Sequence, residues 1–135
     1  MDERLLQVVT HEGEGYKPVM AYQSWRVAFL NAHPRFMHEN LTQLERHLLS
    51  DEAFLLLRGR AALYIGDGDG EHAGHITVVP LEAGRLYNVR AGVWHAIETD
   101  GDASVLIVEN DDTCQENSPK LNLAPGELPP WAKEE

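Results

Sequence analysis

Four side chains in this sequence are spaced so that they can converge on one point: Glu45, His47, Glu52 and His95. Glu45 and His47 are two apart, which on a strand puts them on the same face. The connection Leu48 to Asp51 is short enough to let Glu52 open the next strand beside them. His95 follows Gly92 out of a turn, and on a strand its neighbour Trp94 must face the other way. Two imidazoles and two carboxylates make a nitrogen and oxygen donor set that suits Mn, Fe, Ni, Co or Zn, and the carboxylates balance a divalent charge. Without a metal the same groups are acid and base equipment. Carboxylates held close together raise at least one carboxyl pKa and let a proton be shared with His47 or His95. The spacing leaves both readings open.

The elements that must position these groups read as strands. Short apolar runs broken by Gly, Asp, Asn or Pro have the rhythm of a sandwich or barrel. Trp25 to Asn31 is an early strand, and Leu41 to His47 is polar enough to suit either a strand or a helical turn. Ala53 to Leu57 is apolar on both faces and is interrupted by Arg58, Gly59 and Arg60. Ala61 to Ile65 then runs into a hairpin tip at Gly66 to Gly70. The return arm, His75 to Val79, is stopped by Pro80, which cannot donate to a sheet ladder. Arg85 to Val89, Val93 to Glu98 and Ala103 to Glu109 supply three more strands. From Asn110 the chain turns polar and proline-rich, so regular sheet is expected to end there. The tail, 111–135, reads as a strap or arm that Leu121, Leu123 and Trp131 can dock, a neighbouring subunit being one surface for it.

The chain has 135 residues, 43% of them hydrophobic, which suits one compact domain. The expectation is a single all-β domain over 1–135, with its barrel core from about residue 25 to about residue 110. Lys and Arg number 11 against 22 Asp and Glu, a formal net charge of -11 that would repel a phosphate backbone or an anionic membrane. No nucleic-acid or membrane partner is expected. Cys114 is the only cysteine, which excludes an intrachain disulfide and a four-thiolate zinc site and fits a reducing, cytoplasmic location. Met1 to Thr10 carries no apolar run of signal-peptide length. Asp67 to Glu71 lacks the ligand spacing of a helix-flanked calcium loop and reads as a turn.

Glu45 to Gly59 (ERHLLSDEAFLLLRG) resembles the first motif of the cupins, in which two metal-binding histidines two apart are followed by a glutamate and then a turn glycine. His47, Glu52 and Gly59 fall in register with it. Gly84 to Thr99 (GRLYNVRAGVWHAIET) resembles the second motif, with Gly84, Gly92 and His95 in place. Glu45 stands where the family usually has its first histidine, Glu39 where it has a glycine, and Arg90 and Thr99 where it has a proline and an asparagine. The resemblance implies a double-sheet antiparallel β-barrel of the jelly-roll type, assembled as a homodimer and similar to small single-domain bacterial cupins. It also makes Glu45, His47, Glu52 and His95 the ligands of a divalent metal, if one is bound.

Two chemistries follow from that resemblance. With a metal, the barrel would hold a small polar metabolite against a Lewis acid. Without one, a histidine or glutamate would act as general base beside Tyr87, as in the metal-independent sugar epimerases that share the fold. Tyr87, Trp94 and Arg90 are the expected lining of the substrate pocket, and Arg26 and Arg60 are further candidates to clamp an anion. A non-catalytic metabolite-binding module, or a scaffold whose barrel serves only dimerisation, is the alternative to an enzyme.

Overall fold

Alternation of apolar residues sets the architecture. In the computed structural model of the chain, which describes residues 1–124 and 126–131, the regular structure is antiparallel strand with three single-turn 3-10 segments. The strands are β1 (Gly15–Tyr22), β2 (Trp25–Asn31), β3 (Gln43–Glu45), β4 (Glu52–Gly66), β5 (Ile76–Pro80), β6 (Leu86–Val89), β7 (His95–Asn110) and β8 (Lys120–Asn122). They form one ladder running β1-β2-β7-β3-β8, with β4 pairing β5, β6 and β7. The ladder is not closed into a ring.

The long strands β4 and β7 form the spine. The sequence suggested a break at Arg58 to Arg60 and another at Asp100 to Asp102, but each strand runs through its break. Arg58 pairs with Ser104 and Arg60 with Asp100, so the single residue Gly59 faces a bulge of β7. Gly59 has φ +74°, and a Cβ there would sit 2.5 Å from the Ala103 Cα, so only glycine lets the two strands cross this closely. Because the bulge bends the spine, the two ends of β7 come round to one hollow.

The two faces of the spine bury separate clusters, as period-2 alternation requires. Phe54, Leu56, Leu63, Val105 and Ile107 pack inside with Ala28 and Leu30 of β2. Leu44, Tyr64, Trp94 and Ala96 pack on the opposite face with Leu128, and Leu121 and Leu123 lie against them. Full burial of each large side chain contributes about 2 kcal/mol.

Two boundaries differ from the sequence reading. β1 precedes residue 25 and pairs along β2, and β8 follows residue 110 and pairs Gln43–Glu45. The tail therefore docks on its own chain, where Leu121 and Leu123 cover the second cluster. Local polarity and proline content hid β8, because a three-residue edge strand has too few positions to show alternation. Residues 125 and 132–135 of the expected tail lie outside the described residues.

Candidate metal centre and cavity

Glu52 is the hub of the site. It opens β4, is 6% exposed, and its Oε1 takes both His47 Nε2 at 3.1 Å and His95 Nε2 at 2.9 Å. Glu45, at the end of β3, pairs in register with His95 and places its Oε1 3.6 Å from His47 Nε2. Lys120 of β8 holds the other oxygen of Glu45 in an ion pair. The structure thus brings Glu45, His47, Glu52 and His95 together, although β3 ends before His47 and the next turn completes the approach.

The remaining ring nitrogens are already engaged. His95 Nδ1 lies 2.9 Å from the Val93 carbonyl, which can only accept, so Nδ1 carries the proton. His47 Nδ1 lies 2.7 Å from Ser118 Oγ, whose hydroxyl donates to Asn117 Oδ1, so Nδ1 is the donor here as well. Both Nε2 atoms are thereby assigned as the groups turned inward, the arrangement that fixes tautomer and ring orientation in metal-ligating histidines.

The donor set fits a divalent ion. One atom each from Glu45, His47 and His95 lie within 4.8 Å of one another. Glu52 lies 3.1 Å from His47 and 2.9 Å from His95, and Glu45 lies 3.6 Å from His47, close to the spacing of donors sharing one ion, since bonds of about 2.1 Å place adjacent ligands about 3.0 to 3.4 Å apart. His47, Glu52 and Glu109 form a second group of the same compactness.

Electrostatics couple these groups. Burial pushes Glu52 up, but the hydrogen bonds and charges of His47 and His95 outweigh it and hold the carboxyl down at about 2. Burial pushes His95 down, yet the Glu52 carboxylate and the Val93 carbonyl hold it above its ordinary value. Burial and the nearby charge of Glu52 keep Glu109 above the usual carboxylate range, despite its bonds from Arg26 and Tyr16.

A cavity of about 340 Å³ opens on this cluster, and Phe54 and Ile107 line it without filling it. The wall beside Glu52 is built by Glu109 at the C-terminal end of β7, Arg26 of β2 and Tyr16 of β1. Glu109 stands directly across from Glu52 in one ladder and from Arg26 in the next. Its Oε1 takes the Tyr16 hydroxyl and Arg26 Nη2, each at 2.8 Å. Sequence reasoning missed Glu109 and Tyr16. The signal for Glu109 was the inward sequence Val105, Ile107, Glu109, in which period 2 puts a carboxylate where a core residue belongs.

Tyr87, Trp94 and Arg90 stand apart from this cavity's lining. The Tyr87 hydroxyl accepts the Glu82 N–H, and its ring packs against the inner core. Trp94 is buried on the opposite face, where its indole donates to the Gly70 carbonyl beneath the Arg46 guanidinium. Arg90 is exposed and faces Asp51. Strand alternation explains Trp94: its neighbour His95 takes the inner face. Arg60 pairs with Asp100 at 2.7 Å on an exposed edge, so of the arginines singled out only Arg26 reaches the cavity.

No protein-family model matches the chain, and none of the curated proteins does. Among solved structures it is similar to a cupin-2 domain protein from Shewanella frigidimarina, 14% identical over 80% of this chain and 89% of that one, with a TM-score of 0.52. It is also similar to Pac13 of Streptomyces, a nucleoside dehydratase, 11% identical over 88% of this chain and 89% of that one, with a TM-score of 0.58. Variants of Pac13 have been solved with uridine. A variant of Bacillus subtilis oxalate decarboxylase is 20% identical over 83% of this chain but only 29% of that one, with a TM-score of 0.53. The similarity establishes the cupin fold.

Proposed function

We propose that this cupin-fold chain binds a divalent metal through Glu45, His47, Glu52 and His95, and acts on or binds a small polar metabolite in the adjoining cavity. The observation that carries this reading is the pair of imidazoles whose Nε2 atoms face one carboxylate while both Nδ1 atoms are held elsewhere. A bound ion would supply a Lewis acid for a ligand oxygen. The chain's own contribution is to fix the two rings, to supply carboxylates that offset the ion's charge, and to line the approach with Phe54 and Ile107. Neighbours of the fold that act on nucleosides or oxalate are compatible with a cavity of this size, at the small end of the range of about 300 to 1,000 Å³ for ligand pockets.

The metal-free alternative, an acid and base isomerase or epimerase, is supported by the proton-sharing geometry of Glu52 between two histidines. Elemental analysis of untagged protein purified without chelator tests the choice. Near one metal per chain, lost on combined His47→Ala and His95→Ala substitution, is expected. No metal after reconstitution with Mn, Fe, Ni, Co and Zn would leave the acid and base reading. In the same proposal the chain is a cytoplasmic homodimer. Leu57 and Leu86, exposed on β4 and β6, offer an apolar contact, and the free, exposed Cys114 suits a reducing compartment. Light scattering gives the mass directly.

A further inference from the structure

The segment that joins β2 to β3 brings a positive charge to the cavity. Pro34–Phe36 forms a single 3-10 turn after His33, whose Nδ1 accepts the Arg35 N–H, and Asn40 Nδ2 donates back to the Pro34 carbonyl. Phe36 packs against the inner core, and the Arg35 guanidinium lies over its ring, 5.0 Å from the centre. Both residues line the cavity. The core thus anchors the aromatic face on which the guanidinium rests, and a planar fork held in this way loses little freedom when it binds.

Arg35 differs from the other cations of the lining. Arg26 is paired with Glu109 and Lys120 with Glu45, while Glu52 is bonded by His47 and His95. Among the described residues no carboxylate pairs with the Arg35 guanidinium. The chain has 22 Asp and Glu against 11 Lys and Arg, so this isolation is not for want of acids. Arg26, Arg35 and Lys120 balance Glu45, Glu52 and Glu109 in the lining, and a divalent ion would leave it with positive charge in excess. The ligand that restores the balance is an anion.

The wall also limits the kind of anion. A carboxylate carries one charge and presents two oxygens in a plane that the guanidinium fork matches. A phosphate monoester carries nearly two charges on three acceptor oxygens, which one arginine near three carboxylates does not satisfy. Leu30, Phe36, Phe54 and Ile107 supply apolar surface for a carbon skeleton.

We propose that Arg35 is the anion-recognition residue of this cavity and that the ligand is a small carboxylic acid, held by its carboxylate at Arg35 with its carbon skeleton against the apolar wall. The inference rests on the reading of the cavity as a metabolite site and names its substrate class.

Calorimetric titration with lactate, pyruvate and succinate tests it, with methyl lactate as a neutral comparator and inorganic phosphate as a second anion. Metal content is measured on the same samples. At least one acid is expected to bind more tightly than the ester or phosphate, and Arg35→Gln should weaken it about tenfold, the loss of one charge-assisted pairing. Arg35→Lys keeps the charge without the fork and should fall between the two. Arg35 is exposed, so both variants should keep the native unfolding midpoint and metal content. Acid binding unchanged in Arg35→Gln overturns the proposal, as does tighter binding of the ester or of phosphate. Metal uptake with no acid binding overturns this inference and leaves the metal reading intact. Acid binding that depends on Arg35 in a protein that takes up no metal supports the inference and removes the metal reading.

Discussion

On the inner face of the spine, Glu52 is bonded by His47 and His95 beside a cavity; on the opposite face, Glu98 is bonded by Tyr64 beside His38. Both carboxylates are buried, Glu52 at 6% exposure and Glu98 at 1%. In the second cluster the Tyr64 hydroxyl donates to Glu98 at 2.6 Å, and His38 Nδ1 lies 3.0 Å from that hydroxyl and 3.2 Å from the carboxylate. These bonds turn inward on one another, and none of the three residues lines the cavity. In the first cluster Glu45, His47, Glu52 and His95 all line the cavity. Burial of ionisable groups therefore does not by itself mark a site; donor atoms aimed at a place a ligand can reach do.

Substitutions can break that distinction. The largest effect is expected from Glu98→Ala, which should cost about 3 kcal/mol in urea unfolding, because it removes one member of a buried hydrogen-bonded cluster. Metal per chain should stay unchanged, and a parallel loss of metal would show that the two faces are one functional unit. Tyr64→Phe should cost about 1.5 kcal/mol in the same assay, since Glu98 keeps His38 as a partner.

The same tyrosine gives the comparison a pH axis. Burial pushes Tyr64 up, and its bond to the Glu98 carboxylate adds to the rise. A group raised in the folded state stabilises fully below its unfolded value, here near 10, and loses that contribution as pH rises through the folded value. The urea midpoint of the native protein should therefore fall between pH 9 and progressively more alkaline solution, while Tyr64→Phe should fall less. Equal slopes would mean that Tyr64 is not held by Glu98.

On the inner face, Ser118→Ala removes the acceptor that orients His47 and should weaken metal binding about tenfold, with little change in the unfolding midpoint. An unfolding loss as large as that of Glu98→Ala would make the inner cluster structural too. The smallest effect belongs to Arg90→Ala: the exposed pairing with Asp51 at 3.4 Å predicts no measurable change in midpoint or metal content. A change in metal content would draw Arg90 back toward the site.

Much of the fold was legible in the sequence, and so was the cluster of Glu45, His47, Glu52 and His95. The hairpin at Gly66 to Gly70, the stop at Pro80, the strand Leu86–Val89 and the two halves of β7 were all carried by turn residues and short apolar runs. Glu45, His47 and Glu52 lie within one strand, turn and strand, so their approach depends on neighbours in the chain. Trp94, Tyr87 and Arg90 were harder, because motif position says how near a residue is along the chain and not which face its side chain takes. Ser118 and Lys120 were hidden in a segment whose polarity and prolines masked the strand that docks it.

What the sequence determined by itself was local: strand and turn, the face shared by residues two apart, and a cluster of metal-type donors. Only the tertiary structure decided what stands opposite that cluster. His95 and Glu109 occupy the two ends of β7, and they face one cavity because the spine bends where Gly59 meets the bulge before Ala103. Period-2 alternation is a property of the chain, whereas register and bend depend on how β4 pairs with a strand far away in sequence. That pairing set Glu109, with its partners Arg26 and Tyr16, beside Glu52 on the wall of the cavity.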